Sequence, residues 1–69
     1  MFTAIVWIGS HGSSSQGGFA SAEAANDAAE KRIADGTHGK RDDLVSEVRD
    51  ASNAPVYFAG IPVLRAVAL

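Results

Sequence analysis

Residues 8–19 read IGSHGSSSQGGF and bring a histidine, three consecutive serines and four glycines together. Three chemistries use such residues. A phosphate loop, G-x-x-x-x-G-K-[ST], cradles phosphate with backbone N–H groups, a lysine and a hydroxyl. Gly12 and Gly17 have that spacing, but Gly18 and Phe19 stand where the lysine and hydroxyl belong. The dinucleotide pattern G-x-G-x-x-G does not occur. A nucleophile elbow, G-x-S-x-G, would start at Gly12 and fails at its last position, which is Gln16. A serine nucleophile also needs a base and an orienting carboxylate within hydrogen-bond reach, and no spacing here supplies them to Ser13, Ser14 or Ser15. His11 and His38 are the only imidazoles. A shared metal would draw on both, with Asp35 or Asp42 as a carboxylate ligand, yet no ligand-spacing motif links them. The reading that follows is a long mobile connector at residues 9–18, with no catalytic residue, cofactor or metal. A phosphate-binding or metal-dependent module on that segment is the least favoured alternative.

IVWIGSHGSS, residues 5–14, resembles the first strand and loop of sirohydrochlorin-type chelatases, which implies a metal-binding His11. The likeness covers ten of sixty-nine residues, and the chain is too short for the remainder of such a domain.

The flanking elements are legible from their patterns. FTAIVWI, residues 2–8, is rich in β-branched and aromatic residues and reads as a strand. Alternation puts Phe2, Ala4, Val6 and Ile8 on one face and Thr3, Ile5 and Trp7 on the other, so neither face is polar. Residues 21–34 read as a helix, N-capped by Ser21, with Glu23 and Asp27 near its start and Lys31 and Arg32 near its end. Its inward stripe is Ala22, Ala25, Ala29 and Ile33. Residues 42–51 are expected to form a second helix with Leu44, Val45, Val48 and Ala51 on one face, or alternatively a further strand. Ser52 to Pro55 breaks whatever precedes it. Residues 56–59 and 63–68 read as strands joined by a tight turn, with Gly60 supplying positive φ and Pro62 at the turn or on an edge. The expected architecture is a single α+β domain over residues 1–69, ordered β-α-α-β-β, with a three-stranded sheet and both helices on one face.

Composition narrows the function. Six basic and eight acidic residues give a net charge of −2, without the basic surplus that direct nucleic-acid binding uses. Thirteen of the fourteen charges lie between Glu23 and Asp50, so both ends are apolar. The absence of cysteine excludes disulfides. No signal peptide or membrane span is expected, which points to the cytoplasm. Lean helices cannot cover both faces of an apolar sheet. The uncovered face, with Ile5, Trp7 and Tyr57, is expected to be buried against another copy or another protein. The acids Glu23, Asp27, Glu30, Asp43 and Glu47 offer a second contact surface that could imitate phosphates towards a basic target. Lys31, Arg32, Lys40 and Arg41 flank the turn at residues 36–39, but acids lie among them.

In its size, its lack of cysteine and its closing arrangement over residues 53–69 (a proline break, an aromatic strand, a glycine turn and an L-x-A strand), the chain resembles small phage-encoded inhibitors, including some anti-CRISPR proteins. That resemblance implies a non-catalytic protein that occupies a site on a larger host protein or complex, and the uncovered sheet face adds the expectation of a homodimer. A small virion or scaffold subunit is the alternative.

Overall fold

The computed structural model describes residues 1–63. Among the described residues the chain is α+β, with a five-stranded antiparallel sheet and one helix: β1 (Phe2–Ile8), β2 (Ser13–Phe19), α1 (Ala22–Ala34), β3 (Leu44–Arg49), β4 (Pro55–Phe58) and β5 (Ile61–Pro62). The order across the sheet is β2-β1-β3-β4-β5. The expected three-stranded sheet and second helix are thus corrected, and the alternative of a further strand at residues 42–51 holds as β3.

Two segments behave differently from their local composition. The expected connector at residues 9–18 is a hairpin turn followed by β2, which pairs along β1 with Ile5 opposite Ser15 and Trp7 opposite Ser13. Serine and glycine have poor strand propensity, but the backbone of β1 offers a ladder that overrides it. At the far end Phe19 lies opposite Phe2 and packs against the core, which anchors an otherwise polar strand. Gly9 opens the hairpin at φ +53, a conformation glycine adopts without strain, and a Cβ there would displace the Asp43 carboxylate. The second segment is β3. It lies between β1 and β4, and the period-two alternation of its side chains serves both faces of the sheet.

The helix matches its sequence signals closely. The Ser21 hydroxyl accepts from the Ala24 N–H at 3.1 Å, Glu23 sits in the first turn, and Lys31 and Arg32 sit in the last. At the other end the Asp35 and Thr37 N–H groups donate to the Lys31 and Arg32 carbonyls. After β3, the Asp50 carboxylate accepts from the N–H groups of Ser52 and Ala54 and from the Ser52 hydroxyl, closing the turn into β4. The β4–β5 turn uses Ala59 and Gly60, both at positive φ, and Pro62 falls in the short edge strand β5. The strand expected at residues 63–68 lies outside the described residues except for Val63, whose N–H donates to the Val56 carbonyl.

The core lies between the sheet and α1. Ala4, Val6, Val48, Ala25 and Ala29 are completely buried, with Phe2, Phe19, Ala22, Ile33, Leu44, Val56 and Tyr57 packed around them. The helix stripe is the one expected from the sequence. Its small side chains let α1 lie close on β1 and β3, and Val6 and Val48 are the largest side chains that the contact buries fully. Such a core is sensitive in both directions. Val48→Ala should cost about 2 kcal/mol, and Ala29→Leu about 1–3 kcal/mol by forcing the helix off the sheet. Ala24→Leu, on the exposed side, should be near neutral. Urea unfolding followed by Trp7 fluorescence measures all three.

Candidate interaction face

Register determines which side chains share a face. Ala4 lies opposite Val48 and Val6 opposite Ser46, and these face α1. Thr3 lies opposite Arg49, Ile5 opposite Glu47 and Trp7 opposite Val45, and these occupy the face that α1 leaves uncovered. Phe58 lies opposite Glu47 and Ile61 opposite Phe58, which extends the same face towards β5.

The centre of this open face is a polar cluster set among apolar groups. Glu47 is only 6% exposed although α1 lies on the opposite face of the sheet. Its Oε1 accepts from the Trp7 indole Nε1 at 2.7 Å and from Arg49 Nη2 at 3.3 Å, and its Oε2 accepts from Arg49 Nε at 3.2 Å. The Arg49 guanidinium also lies 5.9 Å from the Trp7 ring centroid, within range of a cation–π contact. Trp7, Glu47 and Arg49 thus hold one another, and the charges cancel locally. Ile5, 7% exposed, is shielded within the same layer. Around this cluster Phe58 and Ile61 stand out at 51% and 67% exposure.

The expected contact residues divide among three places. Ile5, Trp7 and Glu47 come together on the open face. Tyr57 does not join them: it lies opposite Val48, on the helix side, and packs against the core. The expectation of an open face bearing Tyr57 is therefore corrected, because β4 turns Phe58, its neighbour, to that side. Glu23, Asp27 and Glu30 are exposed on α1, across the sheet from Trp7, and Glu30 reaches the Gly60 turn. Asp43 lies just before β3, where it accepts from Arg41 Nε and Nη2 at 2.8 and 2.7 Å. Of the expected acids, Glu47 joins the tryptophan, while Glu23, Asp27 and Glu30 lie on α1 and do not share its surface. Arg49 is the residue that sequence reasoning missed. Its signal was the two-residue spacing from Glu47, which becomes meaningful only when residues 44–49 form a strand.

The other candidates are placed as follows. His11 is in the exposed β1–β2 turn and His38 in the turn after α1, and no three metal-ligating side chains gather among the described residues. Gly12 is in the hairpin and Gly17 within β2, so their phosphate-loop spacing does not form a cradle leading into a helix. The hydrogen bonds from Arg41 hold the Asp43 carboxyl below the usual carboxylate range, as those from Thr37 hold Asp35. Both favour the fold above the ordinary aspartate pKa, and the benefit is lost as pH falls through the lowered folded values. A cleft of about 330 Å³ between α1 and the sheet, lined by Glu30, Ile33, Ala34, Leu44, Ser46 and Ala59, is wide open to solvent.

No family model, curated protein or solved structure matches this chain. The described residues form a small α+β fold whose five-stranded sheet carries α1 on one face.

The Trp7–Glu47–Arg49 cluster has a cost when broken. Trp7→Phe removes the indole donor while keeping an aromatic ring, and Arg49→Met removes the cation while keeping most of the stem. Each leaves the buried Glu47 carboxylate with fewer partners and should destabilise by roughly 1–3 kcal/mol. In chemical denaturation the double variant should lose less than the sum of the two, because both act through Glu47.

Proposed function

We propose that this chain is a small non-catalytic interaction protein that acts by seating its open sheet face on a larger protein, in the manner of phage-type inhibitors. The observation that carries this reading is the composition of the face. A tryptophan and an arginine, each fixed by hydrogen bonds to one buried carboxylate, sit beside the protruding apolar side chains of Phe58 and Ile61. Tryptophan and arginine are the residue types enriched where protein contacts concentrate their binding energy, and an apolar centre with a polar rim is the usual anatomy. Prior fixing of Trp7 and Arg49 lowers the ordering cost on binding. The internal Glu47–Arg49 pairing leaves the face without a strong field, which favours a neutral protein surface over nucleic acid as the occupant.

No helix among the described residues is long and apolar enough to cross a membrane. A cytoplasmic location and a larger host protein or complex as the target belong to this proposal. A structural or assembly subunit is the second reading, supported by the free edge of β2.

The test compares the two sides of the sheet. Phe58→Asp and Ile61→Asp alter exposed side chains and should leave the fold intact while abolishing a stoichiometric complex with the target in co-purification. Glu23→Lys and Asp27→Lys, on the helix side, should leave that complex intact. Loss with the helix variants and retention with the face variants would overturn the assignment of this surface.

A further inference from the structure

The two edges of the sheet are treated differently. At one edge β5 has only two residues and contains Pro62, which has no N–H to offer. At the other edge β2 runs for seven residues, SSSQGGF, with neither a proline nor a charge. Ser13, Ser15, Gln16 and Gly17 are all exposed, so this edge is open to solvent.

Two backbone bonds define what that edge presents. The Ile8 N–H donates to the Gly12 carbonyl at 2.9 Å, across to the β2 side, and the Gly9 N–H donates to the Asp43 carbonyl at 3.1 Å, across to the β3 side. Even-numbered residues of β1 therefore bond towards β2 and odd-numbered ones towards β3. In an antiparallel ladder bonded and non-bonded pairs alternate. Ser14 and Gln16, opposite Val6 and Ala4, use their backbone groups on β1, while Ser13 and Ser15, opposite Trp7 and Ile5, point theirs outward. The register shift in β1–β2 pairing falls between Phe2 and Ala4, beyond this stretch, so residues 13–16 form a regular template.

A second observation sits beside the same stretch. Arg32 donates from Nη2 to the Ser14 hydroxyl, while its Nη1 is buried with no hydrogen-bond partner. The Arg32–Ser14 hydrogen bond ties α1 to this strand.

We propose that the free edge of β2 pairs with β2 of a second copy, antiparallel about a two-fold axis perpendicular to the sheet. Only outward-pointing residues can exchange hydrogen bonds, a condition met with Ser15 opposite Ser15 of the second copy, where residues 14–16 of both copies pair within the regular stretch. This register sets Ser14 opposite Gln16 of the second copy on the helix side. Self-pairing suits this strand because it meets only small, uncharged side chains and sets no like charges directly opposite, the arrangement that weakens strand pairs. The contact is isologous and closes at two copies. It keeps both α1 helices on one side and sets the two Trp7–Glu47–Arg49 clusters side by side on the other. The dimer stands on the edge geometry alone. The doubled contact surface rests on the function proposed above.

Sedimentation velocity and native mass spectrometry on the full chain test this. The wild type is expected to be a dimer. Ser15→Pro removes an outward N–H without touching the β1–β2 ladder, a position where an edge strand tolerates proline. Ser15→Lys keeps that N–H but sets like charges across the two-fold axis. Both should weaken self-association by at least about 10-fold, or about 1.4 kcal/mol, with an unchanged far-ultraviolet circular dichroism spectrum; if the proline variant unfolds, the lysine variant decides. Phe58→Asp should remain dimeric. A monomeric wild type through the micromolar range, a dimer that persists in folded Ser15→Lys, or a dimer dissociated by Phe58→Asp would overturn the proposal. Target binding assayed on the same variants separates the two readings: failure of the edge dimer with binding still lost in Phe58→Asp leaves the function standing.

Discussion

The close seat of α1 on β1 and β3 is the contact on which the rest of this structure depends. Ala25 and Ala29 are buried without remainder against strands that offer Ala4, Val6 and Val48. Alanine allows that approach, and it also limits what the contact yields, because little apolar area leaves water per residue. A domain of this size has a small core in any case. Among the described residues α1 shields one side of the five-stranded sheet, and on the other side Trp7, Glu47 and Arg49 hold one another.

The open face carries a polar arrangement rather than a second apolar layer. Glu47 is buried by the side chains around it, and its two oxygens are matched to the Trp7 indole and the Arg49 guanidinium. The same cluster that protects the sheet in the isolated chain presents a pre-ordered tryptophan and arginine to whatever approaches it. Under the proposed function, stability and recognition are joined at one site, with the exposed apolar side chains of Phe58 and Ile61 beside it.

Much of the helix side was legible before any coordinates. Ser21 as cap, the alanine stripe, both faces of β1 and the Gly60 turn all follow from local rules that the fold does not override. The α+β class follows too. β2 was hidden because serine and glycine signal a loop locally, and only the backbone of β1 beside them makes a strand. β3 was ambiguous because LVSEVR fits both a helical and an alternating pattern over so short a run. That ambiguity concealed the site. Read as a helix, residues 44–49 scatter Glu47 and Arg49; as a strand, they set both on one face with Trp7. Tyr57 was misplaced because neither register nor face is specified by a four-residue strand before its neighbour is known.

Hydroxyl-radical footprinting of the chain in its native complex measures the contact surface directly. The account predicts strong protection of Trp7, Phe58 and Ile61 relative to the free chain, with the exposed side of α1 around Glu23 and Asp27 as reactive as before. Protection confined to α1, with Trp7, Phe58 and Ile61 unchanged, would contradict it.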